Sequence, residues 1–246
     1  KFGLWVEPEM ISEDSELFRA HPDWAFQVPN RPRSTSRSQY VLDFSREDVR
    51  ENIYQQLTAI LDHTDIDYIK WDMNRNMTEV YSTQLPQEAQ GEVAHRYILG
   101  LYDLLEKLTT RYPDILFESC SGGGGRFDAG MLYYMPQTWT SDNTDALARL
   151  NIQYGTSMVY PISTMGSHVS AVPNHQTHRV TSLAIRGNVA MSGVLGYELD
   201  LTKLTAEEKI SIQEQIIFYK QHRTLFQFGR FIRLTSPFEK NSCAWM

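Results

Sequence analysis

The sequence predicts an α/β fold, specifically a (β/α)8 TIM barrel left incomplete because its first strand is missing. Three observations predict it. Short apolar runs alternate with longer segments of helical period. The alternation repeats about every 30–40 residues, as in a barrel of ~250 residues. The apolar runs end in polar groups rich in carboxylates, where such barrels build their active sites. The strand candidates are 2–6, 39–43, 67–71, 115–119, 137–140, 159–163 and 193–197. Between them, 46–62 places Val49, Ile53, Leu57, Ile60 and Leu61 on one helical face, with Ser45 as N-cap and Asp48 at the capping-box position. Segments 91–111, 145–157, 176–191 and 205–227 read as helices, and a shorter one is expected near 127–134. Thr205 followed by Glu207 and Glu208 marks a helix start. The stretch 29–38 is a polar loop, and with no Pro- or Ser-rich linker the whole of 1–246 is expected to be one domain. The chain opens inside the run FGLWVEP and stops at Cys243-Ala244-Trp245-Met246, so it is expected to be a piece of a longer protein.

The 246 residues carry 23 Lys and Arg against 30 Asp and Glu, a formal net charge of −7. That balance, with no basic run, argues against nucleic acid or an anionic membrane surface as partner. No apolar run reaches the ~18 residues of a membrane span. Two cysteines, Cys120 and Cys243, are too few for a disulfide scaffold and lack metal-type spacing, which makes the cytoplasm the simplest location.

Among the strand ends, Asp72 stands out. In Tyr68-Ile69-Lys70-Trp71-Asp72 the alternation points Lys70 and Asp72 to one side, and a neighbouring cation keeps a carboxylate ionised, as a nucleophile must be. A helix cap or a structural pair with Lys70 or Arg75 explains it equally well. Asp142 follows the strand at 137–140, two βα units on, and a pair of facing carboxylates is what a glycosidase needs. Asp145 competes for that role but is expected to cap the helix that follows. The glycines of 122–125 lack a nucleotide-loop ending, so close approach to a neutral polyol, or a plain flexible loop, fits them. His168, His175 and His178 lack paired metal-ligand spacing, and structural or substrate hydrogen bonding is expected of them rather than metal binding. Cys120 reads as lining rather than nucleophile. Trp5, Trp24, Trp71 and Trp139 read first as core residues, and for Trp5 and Trp139, near strand ends, stacking on a sugar face is the alternative.

The runs GLWVEPEM, YIKWDMNR, FESCSGGGGRFD, WTSDNTDA, MGSHVS and PNHQTHR, in this order along nearly the whole chain, resemble the bacterial α-galactosidases of glycoside hydrolase family 36. The resemblance implies retaining double displacement on terminal α-1,6-linked galactose, as in melibiose and raffinose, without a cofactor or metal. It implies Asp72 as nucleophile and Asp142 as acid/base, with Arg37, Lys70, Asn74, Cys120, Gly122, Trp139 and Trp5 at the sugar. Asp142 must then carry a proton to release the aglycone, which partial burial near Trp139 and repulsion from Asp72 would favour. Lys70 and Arg37 are expected to support the charge on Asp72. Galactosyl transfer of the raffinose-synthase kind, α-N-acetylgalactosaminidase activity and a non-catalytic sugar-binding relic are the competing readings. The resemblance also implies flanking β domains and a first barrel strand outside these residues, a homo-oligomeric parent enzyme, as in family members that are often tetramers, and an inactive or aggregating isolated fragment.

Overall fold

The computed structural model describes residues 1–239 and 242–246, and the chain divides into two compact units, Lys1–Pro136 and Gln137–Met246. The first unit opens with β1 (Gly3–Val6) and β2 (Met10–Ser12), followed by α1 (Glu16–Ala20) and β3 (Gln39–Val41). It continues through α2 (Glu47–Leu61), β4 (Tyr68–Trp71), α3 (Val93–Arg111), β5 (Leu116–Ser119) and α4 (Ala129–Tyr134). β4 lies between β1 and β5, parallel to both, with Trp71 opposite Val6 on one side and Ser119 on the other.

The run at 39–43 does not join these parallel strands. β3 instead pairs antiparallel with β2, a three-residue strand too short to stand out in the sequence, and Tyr40, Val41 and Leu42 bury against the core from there. That core gathers Leu42, Phe44, Val49, Trp71, Tyr97, Leu101, Leu104, Leu105 and Phe117, together with Trp24. α2 supplies the predicted face through Val49, Ile53, Leu57 and Leu61, whereas Ile60 is exposed. Its start differs from expectation. Arg46 occupies the cap position, the Ser45 hydroxyl turns back to Asp43, and Asp48 forms an ion pair with Arg46 (2.8 Å) instead of closing a capping box. Gly100 lets α3 approach the segment ahead of α2, because a Cβ there would lie 2.0 Å from the Phe44 carbonyl oxygen.

The second unit contains β6 (Gln137–Trp139), α5 (Ala146–Thr156), β7 (Met165–Ser170), α6 (Leu183–Ala190), β8 (Val194–Glu198) and α7 (Ala206–Phe228). A short antiparallel pair follows, β9 (Arg233–Thr235) with β10 (Ala244–Trp245). β7 is flanked in parallel by β6 and β8. The strand expected at 159–163 lies further on. Pro161 has no N–H for a sheet ladder and leads into a 3-10 turn, Ile162–Thr164, while Val159 is exposed. β7 is buried on both faces, so its run of small and polar residues carries no alternation to read. The helix expected over 176–191 is α6 alone. Before it, the Asn174 side chain accepts the backbone N–H groups of Gln176 and Thr177 and holds that stretch as a turn. α7 begins as predicted, with Thr205 and Glu208 forming a capping box. Both units are thus α/β with parallel strands. Among the described residues no helix is long and apolar enough to cross a membrane.

Candidate active site

In the first unit the residues around the exit of β4 converge on Asp72. Its backbone N–H donates to the Val6 carbonyl (2.9 Å), and the next residue, Met73, donates to the Cys120 carbonyl (3.1 Å). Asp72 therefore sits at the C-terminal ends of these parallel strands, and it is only 6% exposed. Oδ2 accepts hydrogen bonds from Asn74 Nδ2 (2.6 Å) and Trp5 Nε1 (3.1 Å), and Oδ1 accepts one from the Met73 N–H (2.9 Å). Burial pushes the carboxyl pKa up, but hydrogen bonds from the side chains of Asn74, Cys120 and Trp5 and from the Met73 backbone together outweigh it and hold the pKa below its ordinary value. Asp72 is thus a buried, ionised carboxylate. Cys120 is its complement. Burial above all, with the charge of Asp72, pushes the thiol up to about 12 against an opposing backbone hydrogen bond from Gly123, so it serves as a donor and not as a nucleophile.

Lys70 forms its ion pair with Glu118 (3.2 Å), its register partner on β5, and Glu118 also accepts the Tyr68 hydroxyl. Asp72 itself accepts hydrogen bonds from Asn74, Trp5 and Met73. Arg37, at a left-handed φ of 54°, is exposed and lies 3.7 Å from Glu7. Glu7 in turn accepts the Asn74 backbone N–H (3.0 Å), which links the Arg37 loop to the exit of β4. In the glycine run, Gly122 and Gly123 take φ values of 55° and 86°, which only glycine adopts readily. The Ser121 hydroxyl ties this loop to the Met73 carbonyl (2.8 Å). Asn74, Ser121, Gly122 and Arg126 line a cavity of about 360 Å³.

Two residues whose roles sequence reasoning missed, Glu9 and Arg126, support this cavity. Glu9 is fully buried and accepts Trp71 Nε1 (2.8 Å), the Tyr97 hydroxyl, and both terminal nitrogens of Arg126 (2.9 and 2.8 Å). It thereby fastens the glycine loop to the strand that bears Asp72. The available signal was a carboxylate inside the apolar run Pro8-Glu9-Met10-Ile11.

In the second unit, Trp139 at the end of β6 is 3% exposed and donates Nε1–H to Asp142 Oδ1 (3.0 Å). Asp142 itself is exposed, so the expected partial burial is not found. The turn after β6 carries it over the surface of this unit. Asp145 caps α5 through the Ala148 N–H (3.3 Å) and forms an ion pair with Arg179, which is the structural role expected of it. The His168 ring packs 4.5 Å from that of Trp139, with Nδ1 3.4 Å from Glu198. His175 and His178 lie exposed on the turn before α6. Among the described residues no three His, Cys, Asp or Glu side chains are grouped to hold a metal ion. The structure thus brings Trp5, Asn74 and Cys120 onto Asp72 with Gly122 alongside, ties Lys70 and Arg37 to other carboxylates, and sets Trp139 on Asp142.

Comparison with known proteins agrees with the motif resemblance. The chain is 66% identical to alpha-galactosidase AgaA of Geobacillus stearothermophilus and 63% identical to alpha-galactosidase 1 of Pediococcus pentosaceus, in each case over 100% of this chain and 34% of the relative. It therefore spans about a third of the length of the curated relatives it matches. The crystal structure of AgaA superposes with a TM-score of 0.98 at 66% identity, over 100% of this chain and 34% of that one. An AgaA variant in complex with raffinose gives the same score and coverage at 65% identity. The Melibiase family model matches residues 1–229, so the motifs around Asp72, Cys120 and Asp142 all fall inside the match, and the chain belongs to the Melibiase family.

Proposed function

We propose that residues 1–246 are the catalytic (β/α)8-barrel portion of a retaining α-galactosidase that removes terminal α-1,6-linked galactose from oligosaccharides of the melibiose and raffinose type. One observation carries the reading: Asp72 is buried, ionised and surrounded by donors that also suit sugar hydroxyls. The names of the relatives support it, as do AgaA variants solved with raffinose and with stachyose.

In this mechanism Asp72 attacks the anomeric carbon while Asp142 gives its proton to the departing glycosidic oxygen. Water then displaces Asp72 from the galactosyl ester and yields its proton to Asp142. Asn74, Cys120, Lys70, Arg37 and Gly122 bind the sugar hydroxyls, Trp5, whose ring is exposed, contacts its carbon face, and the buried Trp139 acts at the sugar through the N–H it donates to Asp142. The reaction needs no cofactor. The parent enzyme is a cytoplasmic homo-oligomer whose β domains and first barrel strand lie outside these residues, and neither nucleic acid nor membrane is a partner.

The test is to trap the galactosyl-enzyme with a fluorinated galactosyl fluoride, digest it and locate the label by mass spectrometry. The label is expected on the peptide holding Asp72, and sucrose offered as acceptor is expected to leave free galactose as the main product. Label on another carboxylate, or release of β-galactose as first product, overturns the proposal.

A further inference from the structure

We propose that Arg149 is the positioning residue for the acid/base carboxylate, an inference that rests on the reading of Asp142 as that group. Arg149 projects from α5 and is only 2% exposed. Its guanidinium takes hold of the turn bearing Asp142 from both sides. Nη2 donates to the Ser141 carbonyl (2.6 Å) and Nε to the Asn143 carbonyl (2.8 Å), the two residues that flank Asp142. Nη1 donates to the Thr140 hydroxyl (2.7 Å) and to the Gly166 carbonyl on β7 (3.2 Å), which anchors the turn to the sheet.

The same cation lies over the face of Trp139, its central carbon 4.5 Å from the ring centroid. The Trp139 N–H is the one that Asp142 Oδ1 accepts. One planar fork therefore fixes the backbone on either side of Asp142 and the orientation of the side chain that holds its carboxylate. An exposed aspartate on a surface turn has no burial to orient it, and this clamp supplies the orientation instead. Lysine cannot substitute, because a single ammonium point charge does not reach two carbonyls, a hydroxyl and an aromatic face in fixed geometry.

The experiment uses the full-length protein and two substrates. Raffinose has a leaving group that must be protonated, and 2,4-dinitrophenyl α-galactoside has one that needs no proton. Asp142→Ala sets the scale for losing the acid, which is worth about 10²–10⁴-fold. Arg149→Lys is expected to lower kcat/KM on raffinose by about 10–100-fold, part of that range, and to leave kcat/KM on the dinitrophenyl substrate within about threefold, because kcat/KM reports the bond-cleaving step and not the later hydrolysis in which Asp142 is the base for both. The ratio of the two rates is independent of the fraction of enzyme folded. Thr140→Val keeps the cation but removes one anchor and is expected to shift the ratio the same way by a smaller factor. It decides the matter if Arg149→Lys yields no folded protein. Equal losses on both substrates, or no loss on either, overturn the role of Arg149. An Asp142→Ala enzyme that does not discriminate between the substrates overturns the acid/base assignment itself.

Discussion

Asn74 Nδ2 lies 2.6 Å from Asp72 Oδ2, two residues downstream where the chain leaves β4. The carboxylate is thus held ionised by a neutral dipole from its own segment, joined by Trp5 and Cys120 from the neighbouring parallel strands. Lys70 pairs with Glu118 across the parallel register. A nucleophile stabilised by neutral donors keeps its charge without a salt bridge that would have to break as it attacks.

Asn74→Ala removes the strongest of these donors, so the Asp72 pKa rises. Activity that needs ionised Asp72 is lost as pH falls through that pKa, and the acidic limb of kcat/KM is expected to move to higher pH, because one of the hydrogen bonds that lower the pKa is gone. The depressed pKa also contributes stability that is fully present above the unfolded carboxyl value of about 3.9 and disappears as pH falls through the lower folded value. Asn74→Ala is expected to remove part of that acid-sensitive stability. A pH profile identical to wild type argues against the hydrogen-bond account.

Cys120 should resist alkylation. With its thiol pushed up to about 12 and the side chain buried, iodoacetamide at pH 8 is expected to modify the half-buried Cys243 and leave Cys120 untouched until the protein unfolds. Peptide mapping after limited labelling checks this, and rapid modification of Cys120 in the folded protein contradicts it.

Glu9→Gln keeps the size of the side chain but strands the Arg126 guanidinium, which is nearly enclosed and held charged by Glu9. Breaking a buried pair by removing one partner costs about 3–5 kcal/mol, so a large drop in the urea midpoint is expected. The glycine loop loses its anchor as well, so KM is expected to rise. A variant as stable as wild type shows that the pair contributes nothing to folding.

What the sequence revealed was local. α2 and α3 follow from helical period, Asp145 and Thr205 from capping chemistry, and β1, β4, β5 and β8 from short apolar runs between turns. Asp72 and Asn74 share one short segment, so their association was within reach. What stayed hidden depends on distant partners. Glu9 and Arg126 meet across 117 residues, and nothing in either neighbourhood names the other. The run at 39–43 has the composition of any strand, and only its pairing with β2 shows that it leaves the parallel set. Lys70 was matched to the carboxylate beside it in sequence, whereas the parallel register places Glu118 across from it.

Gly196 tests how tightly Trp139 is held. It faces His168 in the β7–β8 register, and a Cβ there would lie 2.5 Å from His168 Cδ2 and 2.7 Å from Nε2. Gly196→Ala must therefore displace the imidazole, which packs against the Trp139 ring whose N–H holds Asp142. Overpacking of this kind costs about 1–3 kcal/mol. A matching loss of stability is expected, together with a changed tryptophan emission and a lower kcat on raffinose. Gly91→Ala is the control, because a Cβ there meets nothing within 4 Å, and surface changes of that sort stay within about 0.5 kcal/mol. If Gly196→Ala behaves like Gly91→Ala, the His168 ring is free to move aside without disturbing Trp139, and the packing of these two rings has no part in holding Asp142.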